Sequence, residues 1–313
     1  MTAGIEREEV RSLNFSTELE KIIEECRPYV NEGEVATYIP ELAKADKNKL
    51  GIYVVEGNAE YCAGDYEAKF TIQSVVKPLI LLLALQNAGE VGVRRLVGVE
   101  ATGKPFDTFN YTDLALKSEH INPMINAGAI ALCTLINGDT YEEKTKNLLE
   151  FTRRLAKNDS LEIDRDVYLS EKKTGNKNRA LAYMLNAYKM IDVDVESLLD
   201  CYFCACSIKV NCRDLANIAF ALSHSSESGI IKEEDARFVN AILSTSGMYD
   251  GSGDFALKVG MPAKSGVGGG IMAVLPRRMG IGVFSPALDK HGNSFAGKRV
   301  LEILSWKMDL SIF

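Results

Sequence analysis

Apolar residues recur at three- and four-residue steps over residues 16–28, where Leu19, Ile22, Ile23 and Cys26 predict one buried helix face. Thr17 and Glu20 have the spacing of a capping box at its start. The period then shortens to two. LGIYVV (50–55) predicts a strand, Gly57-Asn58 a turn, and AEYCAGD the returning strand. From Val75 to about Ser246 helical spacing returns, in NAGAIALCTLI, SLLDCYFCACSI and CRDLANIAFALSHS. The charged stretch 156–182 reads as a loop leading into a further helix. After Gly247 the period is two again. DFALKVGMPAKSG, GIMAVLP and IGVFSP predict strands, with a tight turn at 277–280, before a closing helix in SFAGKRVLEILSWKMDL.

Strands at both ends with helices between them predict an α+β fold. A lone hairpin is marginal in water. The economical arrangement is one antiparallel sheet built from both chain ends, covered by the terminal helices, with a helical lobe inserted. The expected division is a single domain of two lobes: a sheet lobe of approximately 1–73 and 247–313, and a helical lobe of approximately 74–246, with a cleft between them.

Composition narrows the partners. The chain has 313 residues, 36 basic and 43 acidic, for a net charge of −7. A chain of this length buries roughly 75% of the surface its unfolded form exposes. The acidic balance argues against nucleic acid and against an anionic membrane, which both favour a basic face. The run from Pro78 to Leu85 is short for a bilayer span, and MTAGIEREEVRSLNF has no apolar signal-peptide core, so a cytoplasmic location is expected. Seven cysteines and three histidines are present. Cys201, Cys204 and Cys206 have a metal-like spacing but no matching second pair, and read as small buried hydrophobes; no metal is expected.

The candidate chemistry begins at FTIQSVVKP. Pro78 belongs in a first helical turn, which places Ser74 at the helix start and Lys77 three residues on, on the same face. A serine hydroxyl needs a base to become a nucleophile. A lysine serves only when burial disfavours its charged form, and Val75, Val76, Pro78, Leu79 and Ile80 are consistent with such an environment. Taken alone, the four residues favour an ordinary buried helix with Lys77 reaching out to solvent, because Ser-x-x-Lys is common by chance.

Lys264-Ser265-Gly266-Val267-Gly268-Gly269-Gly270 changes that balance. It is followed by a strand pattern, so it is neither a phosphate loop nor a dinucleotide fingerprint. Beside Ser-x-x-Lys, a Lys-Ser-Gly strand fits the acyl-transfer architecture of β-lactamases and penicillin-binding proteins. The amides of Ser74 and Val267 would then form an oxyanion hole. A Ser-Asp-Asn element is missing; the nearest match, Ser12-Leu13-Asn14, lies in the N-terminal arm.

Together, GEVATYIPELAK, FTIQSVVKP, NPMINAGAI, SEKKTGNKNRALAY, DCYFCACSI, SGMYDGSGDFA and GMPAKSGVGGGI resemble the serine-dependent glutaminases in their bacterial short form, over about residues 10–310. The resemblance implies a β-lactamase-like fold, hydrolysis of L-glutamine to L-glutamate and ammonia through a serine acyl-enzyme, no cofactor, and a homodimer or homotetramer. By motif, Ser74 would be the nucleophile, Lys77 its activating partner and Tyr249 a proton shuttle or base, with Tyr38 near the leaving amide. Asn126, Glu171, Asn178 and Tyr202 would hold the amino-acid end, and Ser74, Tyr249 and Val267 would surround the amide. Lys264 would lend electrostatic support, as a positive field favouring an ionised Tyr249. Read from the residues alone, the preferred readings are Asn126 as a helix cap, Glu171 and Asn178 as a solvated loop, and Tyr202 as a core aromatic. The competing functions are another serine amidohydrolase of the same fold and a non-catalytic amino-acid sensor.

Overall fold

The computed structural model describes residues 15–101, 121–225 and 229–313. Ser12-Leu13-Asn14 lies outside them. The strands among the described residues are β1 (Glu34–Val35), β2 (Gly51–Glu56), β3 (Ala59–Gly64), β4 (Phe70–Thr71), β5 (Lys209–Val210), β6 (Ala263–Ser265), β7 (Gly270–Leu275), β8 (Met279–Phe284) and β9 (Ala287–Leu288). The main sheet runs β3-β2-β8-β7-β6, and every pairing is antiparallel. It is built from both chain ends, as the alternation predicts.

Successive strand side chains point to opposite faces. Ile52 and Val54, with Ile271, Ala273, Ile281 and Val283, pack with Leu19, Ile22 and Ile23 and with Val300, Leu301 and Leu304. Those residues come from the first helix, over residues 15–26, and the last, Phe295–Met308. Tyr53, Val55, Met272, Val274 and Phe284 face the other way, into the core of the central helices. The sheet is thus a wall between two apolar cores.

Two glycines of β8 set how close the central helices come. An added Cβ at Gly282 would stand 2.1 Å from the Cys212 carbonyl oxygen, and one at Gly280 2.1 Å from the Phe220 amide nitrogen. The helix Cys212–Ser223 therefore rests backbone against backbone on the sheet.

Four sequence expectations are corrected. Residues 15 and 16 are already helical, so Thr17 is not a cap. The stretch 156–182 is not mainly loop; it holds the helix Arg165–Thr174 and most of Asn176–Ala187. Val167 and Glu171 are the buried positions of the first of these, so a carboxylate interrupts the apolar stripe that would have revealed it. DFALK is not a strand but part of the helix Ser252–Lys258. Its apparent alternation comes from Phe255, which is buried, and Leu257, which is exposed. The run from Pro78 also belongs to a longer element: residues 73–94 are long and apolar enough, by length and composition alone, to cross a membrane. Yet Leu79 to Leu85 are buried among the protein's own helices, and Gly89 (φ 67°, ψ 172°) breaks the helix.

Gly282→Val should destabilise the protein by roughly 2–3 kcal/mol or more, because the overpacked neighbour is backbone and cannot rotate away. Urea unfolding measures this. A loss below about 0.5 kcal/mol would mean that the helix can shift without cost.

Candidate active site

Ser74 lies in the single 3-10 turn Gln73–Val76, which runs directly into the helix Lys77–Arg94. The turn is tethered from behind. Phe70 and Thr71 pair with Val210 and Lys209, and the Ile72 amide donates to the Ile208 carbonyl at 2.8 Å. Gln73 has φ 48°, a left-handed conformation that is costly for a side chain with a Cβ. The serine is presented from a constrained bend.

The Lys-Ser-Gly strand lies against this turn. A Cβ at Gly266 would stand 2.8 Å from the Ile72 carbonyl oxygen, and one at Gly268 2.5 Å from that of Thr71. These glycines are required by the packing of two backbones, with Val267 between them.

Lys77 is 0% exposed, and its Nζ donates to Asn126 Oδ1 at 2.7 Å. Asn126 opens the helix Asn126–Cys133, and NPMINAGAI explains how it is placed. Asn122 Oδ1 accepts from the Met124 amide at 2.8 Å, and Gly128 admits the Asn122 carbonyl. The cap position itself is Ile125, so Asn126 is not the cap. Asn126 Nδ2 instead donates to Asn178 Oδ1 at 2.8 Å, and the Tyr202 hydroxyl reaches Asn126 Oδ1 at 3.4 Å. Glu171 and Asn178 both lie on helices rather than in a solvated loop. Tyr202 is a buried member of the core and also a hydrogen-bonding member of this cluster.

Glu171 is 5% exposed. Burial pushes its carboxyl up to about 8, against the opposing pull of the Gln73 amide, the Lys77 charge and the Cys206 thiol. Its Oε2 has no hydrogen-bond partner. A buried oxygen of this kind is complementary to a cationic donor.

Tyr249, with φ 53°, follows the helix Glu233–Ser246. Ser252 Oγ donates to the Tyr249 carbonyl at 2.8 Å, and Asn293 Nδ2 donates to the Met248 carbonyl at 3.1 Å. The Tyr249 hydroxyl donates to the Ser265 carbonyl at 3.1 Å and is hydrogen-bonded with Ser74. Burial raises its phenol above the ordinary range, with the Ser74 bond pulling the other way. Lys264 lies against the ring face, with Nζ 4.3 Å from the centroid, and donates to the Ser265 carbonyl at 2.7 Å. Burial, and then the Lys77 charge, hold the Lys264 ammonium well below its usual value. Burial thus opposes both halves of an ammonium field acting on an ionised phenolate.

Tyr38 is 57% exposed, on the wall of an open cleft of about 1110 Å³ that it shares with Val267, Asp250 and Asp289. The sequence reading missed Gln73, whose signal is the glutamine preceding the serine, and Cys206, which reaches both Glu171 and Tyr202. Among the described residues no group of three or more His, Cys, Asp or Glu side chains is placed to hold a metal ion. Cys201 instead hydrogen-bonds with Cys133.

The sequence profile of the family described as Glutaminase matches residues 33–313. A glutaminase of Clostridium tetani is 51% identical over 306 residues, covering 96% of this chain and 100% of that one. Glutaminase 2 of Clostridium perfringens is 48% identical over 301 residues, covering 94% and 99%. The structure of a probable glutaminase from Bacillus subtilis, complexed with 6-diazo-5-oxo-L-norleucine, superposes with a TM-score of 0.87 at 35% identity, covering 96% of this chain and 97% of that one. A covalent complex of the Bacillus subtilis glutaminase YbgJ with 5-oxo-L-norleucine gives 0.86 at 34%, covering 95% and 99%.

Glu171 couples this site to stability. A raised folded pKa means that the folded state keeps a proton the unfolded state has lost. Stability from this group is full below about 4.5 and falls as pH rises toward about 8, then levels. Glu171→Gln should lack that slope. Chemical denaturation without substrate should show the stability of the wild type falling relative to the variant by at most about 1.4 kcal/mol per pH unit across this window. Parallel curves would show that Glu171 is ionised throughout.

Proposed function

The chain belongs to the glutaminase family, and on that premise we propose that it hydrolyses L-glutamine to L-glutamate and ammonia through an acyl-enzyme on Ser74. The observation that carries this reading is the buried cluster in which Ser74, Lys77, Tyr249, Asn126 and Glu171 converge. The covalent complex of the Bacillus subtilis relative with 5-oxo-L-norleucine supports a covalent route.

In the proposed reaction Ser74 Oγ attacks the side-chain amide carbon. Its proton passes into the Lys77–Tyr249 pair, with the neutral Lys77 amine as the final acceptor. The amides of Ser74 and Val267 receive the oxyanion. The carbon–nitrogen bond breaks as the pair returns the proton, and ammonia leaves. Water then attacks the ester, giving L-glutamate and free Ser74. Tyr249 works as a neutral phenol relay, consistent with its raised pKa. Glu171 pairs the substrate α-ammonium through its unpartnered oxygen, and Asn126, Asn178 and Tyr202 face the α-carboxylate. Tyr38 forms the outer rim, closest to the leaving amide. The sheet and central helices act as two lobes of one domain around this seam, in a cytoplasmic homo-oligomer.

Purified protein should release ammonia from L-glutamine with a chelator present, and Ser74→Ala should lower kcat by about 10⁴-fold or more, as loss of a nucleophile does. Binding of L-glutamine to Ser74→Ala, followed by calorimetry, should persist. Binding without ammonia release from the wild type would indicate a sensor instead. Below about 8 the free protein holds Glu171 neutral, so kcat/KM should rise with pH up to that value. A profile flat from pH 6 to 8 contradicts this use of Glu171.

A further inference from the structure

Asn122 is 1% exposed, and its side-chain amide is engaged at both ends. Oδ1 accepts from the Met124 amide at 2.8 Å. Nδ2 donates to the Glu100 carbonyl at 2.9 Å and to Ser246 Oγ at 3.0 Å, with the Val99 carbonyl at 3.4 Å. An amide oxygen cannot bond to carbonyl oxygens, so these partners fix which way round the amide lies. The backbone is pinned as well. The Asn122 carbonyl accepts from the Ile125 amide at 3.2 Å, and a Cβ at Gly128 would stand 2.2 Å from its oxygen. The two ends of the side chain serve different halves of the site. One holds the turn before Asn126, whose Oδ1 accepts from Lys77 Nζ. The other reaches Ser246, the last residue of the helix Glu233–Ser246 and three residues before Tyr249. Little slack separates Ser246 from that phenol. The Gly247 carbonyl accepts from the Ser265 amide at 3.2 Å, and a Cβ on Gly247 would stand 1.7 Å from the Ala263 carbonyl oxygen. The Tyr249 hydroxyl donates to the Ser265 carbonyl on the same strand.

We propose that Asn122 is a positioning residue: its side chain clasps the segment that holds Lys77 to the segment that holds Tyr249, through Met124 on one side and Ser246 on the other, and so keeps the two proton-carrying groups in register. This rests on the reading of Lys77 and Tyr249 as the groups that move the Ser74 proton. Asn122 acts through its neighbours and not on the substrate. Proton transfer needs hydrogen-bond distances, and a misplacement on the order of 1 Å can cost about 100-fold in rate. The groups assigned to the substrate's amino-acid end, Glu171, Asn178 and Tyr202, come from other helices. Loss of the Ser246 bond is therefore felt in kcat and not in KM.

The test measures kcat and KM for L-glutamine in Ser246→Ala, Ser246→Thr, Asn122→Ala and the double variant Asn122→Ala/Ser246→Ala. Ser246→Ala should lower kcat roughly three- to tenfold, the worth of one hydrogen bond, with KM within about twofold of the wild type. Ser246→Thr restores the acceptor and should recover kcat to within about twofold. The double variant should be no slower than Asn122→Ala, because the bond to Ser246 is already gone. A packing role would lower thermal stability and leave kcat of the folded enzyme in place. The proposal is overturned by a kcat loss below about threefold in Ser246→Ala, by equal losses in Ser246→Ala and Ser246→Thr, or by losses that multiply in the double variant. Tyr249→Phe separates the proposal from the reading beneath it: a wild-type kcat in that variant ends the role of Tyr249, and the clasp with it. Should Asn122→Ala not fold, Ser246→Ala and Ser246→Thr decide by the same criteria.

Discussion

The bond from Lys77 Nζ to Asn126 Oδ1 is the contact on which the rest of the site depends. A lysine with no exposed surface is tolerated only if its nitrogen is hydrogen-bonded. Satisfying it takes an asparagine from a second helix, and that asparagine in turn engages Asn178 from a third and Tyr202 from a fourth. The charge also reaches outward. It opposes the rise of the Glu171 pKa and adds to the depression at Lys264. One buried amine therefore links the protonation of the candidate site to the packing of the central helices.

Such a cluster needs walls that do not yield, and glycine provides them. Gly266 and Gly268 let the Lys-Ser-Gly strand lie on the serine turn, while Gly280 and Gly282 let a central helix lie on the sheet. In both places backbone meets backbone, so the separation is fixed by covalent geometry rather than by side chains able to change rotamer. Close packing of this kind transmits strain instead of absorbing it. The left-handed conformations of Gln73 and Tyr249 persist because both neighbourhoods are over-determined.

The sheet was legible in the sequence through short apolar runs bounded by turn signals at both chain ends; β2, β7 and β8 are buried on both faces, so turn signals and length rather than polar alternation mark them. The helix that carries Glu171 was hidden. Its second buried position is a carboxylate, and hydropathy scores a buried carboxylate as surface. Ser74 and Lys77 were legible through their spacing and the proline beside them, and Lys264 to Gly270 through their glycines. Cys206 was not, since a cysteine in an apolar run looks like any small core residue until its neighbours are known. The role expected of Lys264 turns on an electrostatic point that spacing cannot express: burial, and then the neighbouring Lys77, oppose its charged form.

Neutrality at rest has a consequence for how the proposed chemistry would begin. With the Glu171 carboxyl protonated, and burial disfavouring the charged forms of Tyr249 and Lys264, the free site carries little charge. Each of these states lowers the cost of burial. An arriving amino acid brings an ammonium and a carboxylate of its own. Ionising Glu171 then becomes favourable only once the ammonium is beside it, so the charge that holds the substrate is created by the substrate. A ligand without the ammonium would leave the carboxyl neutral and the pocket in its resting state. Selection for an α-amino acid would thus follow from burial itself, with no need for a preformed ion pair.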